Sequence, residues 1–223
     1  MVQVSMDKGC FIKRSNKSII VLTFLLLFFL LPVSAQKKIQ VTKKSGLFKE
    51  VCWVYYNDTS VRTGFSTKYY KGNVIEKGLY DKNKKVGKWR FYNLNNILEY
   101  EYDFGSEELI LMSGSDQLDL RLYSPCLFKG SPLIPYLHIV NELGYPQKAI
   151  NDDIEGKVVL ALKVNNEGRV YGFYIAEKLH PTIDKAVIEV AKKMPSDWRF
   201  IAATKKGKAI NGEYHIAIEF YLE

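Results

Sequence analysis

The clearest hydrophobic pattern in this chain lies toward its C-terminal end, where Val158, Leu160, Leu162 and Val164 alternate with Val159, Ala161 and Lys163. Period-two alternation of aliphatic residues marks a half-buried strand. Asn165-Asn166-Glu167-Gly168-Arg169 supplies residues that tolerate positive φ, so the chain turns back into a second strand over Val170–Ala176. His180-Pro181 then opens a helix, because proline is accepted in the first turn, where its missing donor has no intrahelical partner. Ile183, Ala186, Val187, Val190, Ala191 and Met194 follow at helical spacing as one apolar stripe. Lys192 and Lys193 suit the negative end of the helix dipole, and Pro195 is a stop signal. Beyond the loop Thr204–Lys208, a final strand carries Tyr214, Ile216, Ile218, Phe220 and Leu222 on one side and His215, Ala217, Glu219 and Tyr221 on the other. The predicted class is α+β, a small antiparallel three-stranded sheet packed by helices.

Upstream, Leu133, Tyr136, Leu137, Val140 and Leu143 have helical spacing, with Pro135 in the first turn and Gly144 as C-cap. His138 is expected on the solvent side of that helix. From Val51 to Phe104 the chain is rich in Tyr, Gly, Lys and Asn, and Tyr70, Asn73, Ile75 and Tyr80 recur as Tyr92, Asn95, Ile97 and Tyr102 at an offset of 22 residues. This reads as a repeat of short aromatic strands, with turns at Gly72-Asn73 and Asn95-Asn96. The result is a Tyr/Gly-rich antiparallel β repeat region ahead of the C-terminal domain. A repeat sheet buries its faces only against neighbours, so a flanking segment is expected to pack on it. Glu108–Met112 can end this sheet, and Ser113-Gly114-Ser115-Asp116 is a turn cluster.

The N-terminal pattern differs. Met1–Lys17 carries Lys8, Lys13, Arg14 and Lys17 against Asp7, and Ile19–Leu31 is apolar except for Thr23. Val33-Ser34-Ala35 offers the small residues read by a signal peptidase, with cleavage before Gln36. Ser18–Ala35 is 18 residues long, against the roughly 20 of a spanning helix. Pro32 favours cleavage, with retention as a membrane anchor as the alternative. Either way the bulk of the chain is exported, because the positive flank stays inside. The expected organisation is a signal peptide or N-terminal membrane anchor over 1–35, the repeat region over 36–112, a linker over 113–130 and a C-terminal domain over 131–223 that folds alone.

Composition changes this picture little. The 223 residues are 47% hydrophobic and 25% charged, an ordinary globular balance. Loss of residues 1–35 lowers the formal charge from +8 to +5. That is a Lys-rich solvated surface, and no basic helix or stacking-aromatic motif points to nucleic acid. Cys10 precedes the apolar run and so cannot be a lipoprotein's acylated cysteine. Cys52 and Cys126 remain in the exported part, where pairing in a disulfide and separate burial as thiols both stay open. His138, His180 and His215 have no metal-ligand spacing, and Asp152, Asp153 and Glu155 read as a loop or cap cluster. No nucleophile motif or phosphate loop occurs, so neither enzyme chemistry nor a cofactor or metal is expected.

Taken in order, Tyr145-Pro146, Ile154-Glu155-Gly156-Lys157-Val158, Gly168-Arg169-Val170, His180-Pro181-Thr182-Ile183-Asp184, Met194-Pro195, Trp198, Gly207-Lys208 and Ile216-Ala217-Ile218-Glu219-Phe220 resemble the TonB C-terminal domain family of Bacteroidetes type. The Gly87-Lys88-Trp89 hairpins resemble variant MORN repeats. The chain departs from the TonB pattern after the helix, where Trp198-Arg199-Phe200 replaces Trp-x-Pro and the segment to Gly207 is longer. The first resemblance implies a periplasmic or inner-membrane-anchored protein that binds the TonB box of outer-membrane transporters and passes on energy from inner-membrane proton-motor proteins. An adaptor or structural module of the same fold, without energy transduction, is the alternative. The expected peptide-binding residues are Tyr214, His215, Ile216, Ala217, Ile218, Glu219 and Phe220, because an end strand offers free backbone donors and acceptors to an added strand. A central position for this strand, or cover by a second copy in a homodimer, is the competing reading.

Overall fold

In the computed structural model, residues 36–222 are described; the leader or anchor expected over 1–35 lies outside them. Strands β1 (Lys38–Ser45), β2 (Phe48–Tyr55), β3 (Asp58–Tyr70), β4 (Asn73–Asp81), β5 (Lys84–Tyr92), β6 (Leu98–Asp103) and β7 (Glu108–Met112) form a seven-stranded antiparallel meander in chain order. Two of its turns have two central residues, both with positive φ: Lys71 and Gly72, at 48° and 87°, and Lys82 and Asn83, at 47° and 67°. This geometry matches the twist of the flanking strands. The β3–β4 turn is therefore Lys71-Gly72, one residue before the expected Gly72-Asn73, since Tyr70 pairs with Asn73.

The 22-residue offset corresponds to one hairpin, β3–β4 and then β5–β6. Tyr70, Ile75, Tyr80 and Tyr102 are buried, whereas Ile97 is 53% exposed. The copies diverge there because the Asn93 carboxamide oxygen accepts from the N–H groups of Asn95 and Ile97, at 3.0 Å each, and folds the turn outward. Trp89 lies flat over Gly78, where a Cβ would come within 2.3 Å of the indole. The indole N–H donates to the Leu79 carbonyl at 2.9 Å. Phe91 and Tyr100 stack at 4.4 Å beside it.

A buried carboxylate joins this sheet to the C-terminal half of the chain. Glu76, 2% exposed, lies 3.0 Å from Lys68 and 2.9 Å from Lys85, and its Oε2 accepts from Ser131 N at 3.1 Å. Burial works to raise its pKa, but the two ammonium groups outweigh burial and hold it at about 2. Nearby, the Tyr100 hydroxyl donates to the pair of carbonyls of Phe128 and Gly130, at 2.9 and 2.6 Å.

Segment 113–130, expected as a linker, is structured. It holds α1 (Gln117–Leu122), capped by the Asp116 carboxylate, and the short strands β8 (Tyr123–Ser124) and β9 (Leu127–Phe128). Then come α2 (Leu133–Glu142), α3 (Gln147–Asn151), β10 (Gly156–Val164), β11 (Val170–Glu177) and α4 (Pro181–Ala191). The chain closes with β12 (Phe200–Ile201), β13 (Ala203–Lys205), β14 (Lys208–Ile210) and β15 (Gly212–Phe220). Lys37–Glu223 forms one unit, meander and C-terminal part together.

The predicted α+β layer pair is present: β11, β10 and β15 form a three-stranded antiparallel sheet in that order. The buried stripe of α4, Ile183, Val187, Val190 and Ala191, packs in one core with Val158, Leu160, Leu162 and Val164 of β10. Ala186, expected in that stripe, is only half-buried. The His180 ring caps α4 by accepting from Thr182 N. The central strand β10 is buried on both faces instead of one, since Val159 and Ala161 are also inaccessible. Ala161 is a small residue between the larger Tyr174 and His215, which cover it.

Two other expectations are corrected, and the state left open for the two cysteines is now assigned. Gly144 is not a left-handed C-cap; Leu143 caps α2 in extended geometry, leading the chain into Tyr145-Pro146. His138 is half-buried, with its ring 5.2 Å from Trp198 and its Nε2 buried. Cys52 and Cys126 are separate buried thiols. Cys126 packs in the C-terminal core and Cys52 lies on β2. Burial pushes the Cys126 thiol up to about 12, and burial, then the charge of Glu50, raises that of Cys52.

Candidate functional site

Strand β15 alternates as its sequence predicts. Ile216, Ile218 and Phe220 are buried, Tyr214 is half-buried, and His215, Ala217 and Glu219 are exposed. The inward set is held by rings at its two ends: Tyr145 meets Phe220 edge-on at 5.1 Å, and Phe200 meets Tyr214 at 5.2 Å. Glu155 accepts from Leu222 N at 2.6 Å and ties down the chain end. Of the acidic cluster, Glu155 alone makes this contact.

Along its whole length β15 pairs with β10, from Gly212 opposite Val164 to Phe220 opposite Gly156, without a register shift. Among the described residues it has no strand on its other side. Successive residues of a strand direct their N–H groups to opposite edges. Half of the β15 backbone donors therefore face β10 and half face away, the arrangement needed to accept an added strand. All seven residues expected from Tyr214 to Phe220 lie on this one strand.

The sequence did not reveal what stands beside them on the outward face. The Tyr174 hydroxyl donates to the Glu213 carboxylate at 3.0 and 3.1 Å, and His215 Nε2 lies 3.3 Å from the same carboxylate. The Lys163 ammonium sits 5.2 Å from the Tyr174 ring centroid. Hydrogen bonds from His215 and Tyr174 lower the Glu213 pKa, and the bond to Glu213 raises that of Tyr174. These groups converge across three strands, and only the outward phase of Tyr174 along β11 hinted at it. His180 and His138 stand elsewhere, and no group of three metal-ligating side chains occurs among the described residues.

The segment that departs from the TonB pattern is used internally. β12 pairs with β9, and β13 pairs with β8 and β14. Trp198 and Phe200 meet Phe128 edge-on at 5.3 and 5.4 Å. The extra length thus receives the 123–128 segment.

Three comparisons bear on this arrangement. Residues 141–222 match the family model described as the Gram-negative bacterial TonB protein C-terminal. A solution structure of the Helicobacter pylori TonB C-terminal domain matches with 20% identity and a TM-score of 0.27, covering 39% of this chain and 89% of that one. No curated protein matches. The end-strand site therefore stands within the stretch, residues 141–222, that matches the model of the TonB C-terminal family.

Proposed function

We propose that this is an exported protein of the cell envelope whose C-terminal domain binds an extended peptide by adding it to β15. The peptide is the TonB box of an outer-membrane transporter, and the binding couples inner-membrane energy to transport. The observation that carries this reading is the position of β15 at the end of its sheet, regularly paired on one side only. Backbone pairing supplies register and most of the affinity, while His215, Ala217 and Glu219 tune which peptide fits.

Proline at the outward-directed N–H removes a donor needed by the added strand and spares the β10 ladder. Of Ala217→Pro and Ile218→Pro, one should abolish binding of a TonB-box peptide in a calorimetric titration while keeping the wild-type circular dichroism spectrum. Glu219→Ala should change only peptide preference. If both proline variants fold and bind with unchanged affinity, addition at β15 is ruled out.

A second reading, an adaptor that holds partners without transducing energy, is favoured by one observation. Lys37–Glu223 is a single unit, so the stretch between Lys37 and the domain is folded instead of serving as a long tether. N-terminal sequencing of the exported protein separates the two, because a chain beginning at Gln36 is released from the membrane and a retained leader keeps it anchored.

A further inference from the structure

A cleft of about 1290 Å³, with no β15 residue in its lining, lies where the meander faces α1 and the β13–β14 turn. Its cationic lining is Arg62, Lys84, Lys85, Arg121, Lys129 and Lys206, against the acids Glu107, Glu108 and Glu167. Two of the cations are partly neutralised from behind, Arg62 by Glu50 at 3.5 Å and Lys85 by Glu76 at 2.9 Å. The other four, Lys84, Arg121, Lys129 and Lys206, are exposed. Among the described residues they form no ion pair with a carboxylate. Phe104 also lines the cleft, with the Lys85 and Lys129 ammonium groups 5.8 and 5.7 Å from its ring centroid. Of these two, Lys129 carries the charge that no carboxylate offsets beside that apolar ring.

The lining also includes two sheet ends. Glu108, Leu109 and Ile110 belong to β7, the last strand of the meander, and Ala209 belongs to β14, the end strand of the order β14-β13-β8. End strands keep backbone donors and acceptors that no neighbouring strand uses. The four unpaired cations come from four separate segments of chain that meet at the cleft.

We propose that this cleft is a second docking site, separate from β15, for an extended acidic polypeptide segment whose carboxylates meet Lys84, Arg121, Lys129 and Lys206. Charge complementarity selects the partner, and the strand ends favour an extended backbone.

The test is a fluorescence-polarisation titration of the full chain with a labelled oligoglutamate peptide. Expected is saturable binding that weakens as salt rises. The Lys129→Glu/Lys206→Glu double variant should weaken it by at least about tenfold. Lys44→Glu/Lys148→Glu, the same charge change at exposed positions away from the cleft, should leave it within about twofold. Thermal melts of both variants check that the fold is kept, and Lys129→Ala/Lys206→Ala provides a milder change at the same sites. Equal weakening by the two charge-reversal pairs would show diffuse attraction and overturn the proposal. So would binding of sulfated dextran or inorganic polyphosphate without binding of the peptide, or no binding at all.

Discussion

Gly168 meets two demands at one position. Its φ is +75°, and a Cβ there would lie 2.0 Å from the Phe200 carbonyl oxygen; its own carbonyl accepts from Phe200 N at 2.9 Å. The tip of the β10–β11 hairpin is thus sealed against β12 by backbone alone. Gly168→Ala is expected to destabilise by more than about 1 kcal/mol, since alanine is strained at positive φ and must also push β12 away. A thermal melt with an unchanged midpoint would refute this. Glu76 makes a pH prediction. Its folded pKa, about 2, lies below the ordinary 4.5, so its stabilising contribution is present above pH 4.5 and is lost as pH falls from there toward 2. The contribution is on the order of 3 kcal/mol. Glu76→Gln should flatten that part of the stability profile relative to wild type, and should itself cost about 3–5 kcal/mol at neutral pH by leaving Lys85 buried without its counter-charge. Equilibrium unfolding of both proteins across that range is the measurement.

At the scale of elements, strands and helices with a strong period were legible and short pairings were not. The β10–β11 hairpin, α4 and β15 announced themselves through Val158 to Val164, the Ile183 to Ala191 stripe and the alternation from Tyr214 onward. The end position of β15 depends on which strand pairs with which, and periodicity is silent on that. Strands β8, β9, β12 and β13 have two or three residues each, too few for any period, and they exist because each supplies the other's hydrogen bonds across the fold. Segment 113–130 therefore read as a linker although Cys126 and Phe128 belong to the C-terminal core. The boundary has a testable consequence. A fragment of residues 131–223 lacks Phe128, whose loss from a core costs about 3–5 kcal/mol, together with β9, the partner of β12, and β8, one of the two partners of β13. Residues 113–223 should melt cooperatively and at a higher temperature than residues 131–223. Equal melting curves for the two fragments would show that β8 and β9 add nothing.

Across the whole molecule, the meander and the C-terminal domain share side chains instead of merely touching. Leu127 and Ile201 pack with Tyr80, Trp89, Phe91, Tyr100 and Tyr102, while Leu133 and Leu137 pack with Tyr70, Ile75 and Phe48. A flanking segment was expected to pack on the repeat sheet at its edge, and α2 with β9 and β12 instead pack on its buried side chains. This also explains why Glu76 can be buried: its acceptor capacity is used by Lys68 and Lys85 from the sheet and by Ser131 N from the other side.

The pairing of β9 with β12 joins Leu127–Phe128 to Phe200–Ile201, with α2, α3, β10, β11 and α4 all lying between them in the chain. Closing so long a loop has an entropic cost that must be met before the contact stabilises anything. The meander, by contrast, pairs each strand with the next, so its contact order is low and it can form early. The topology thereby implies an order of assembly: the hairpins around Trp89 and the β10–β11 hairpin close first, each from nearby segments, and the long-range β10–β15, β8–β13 and β9–β12 pairings close after them.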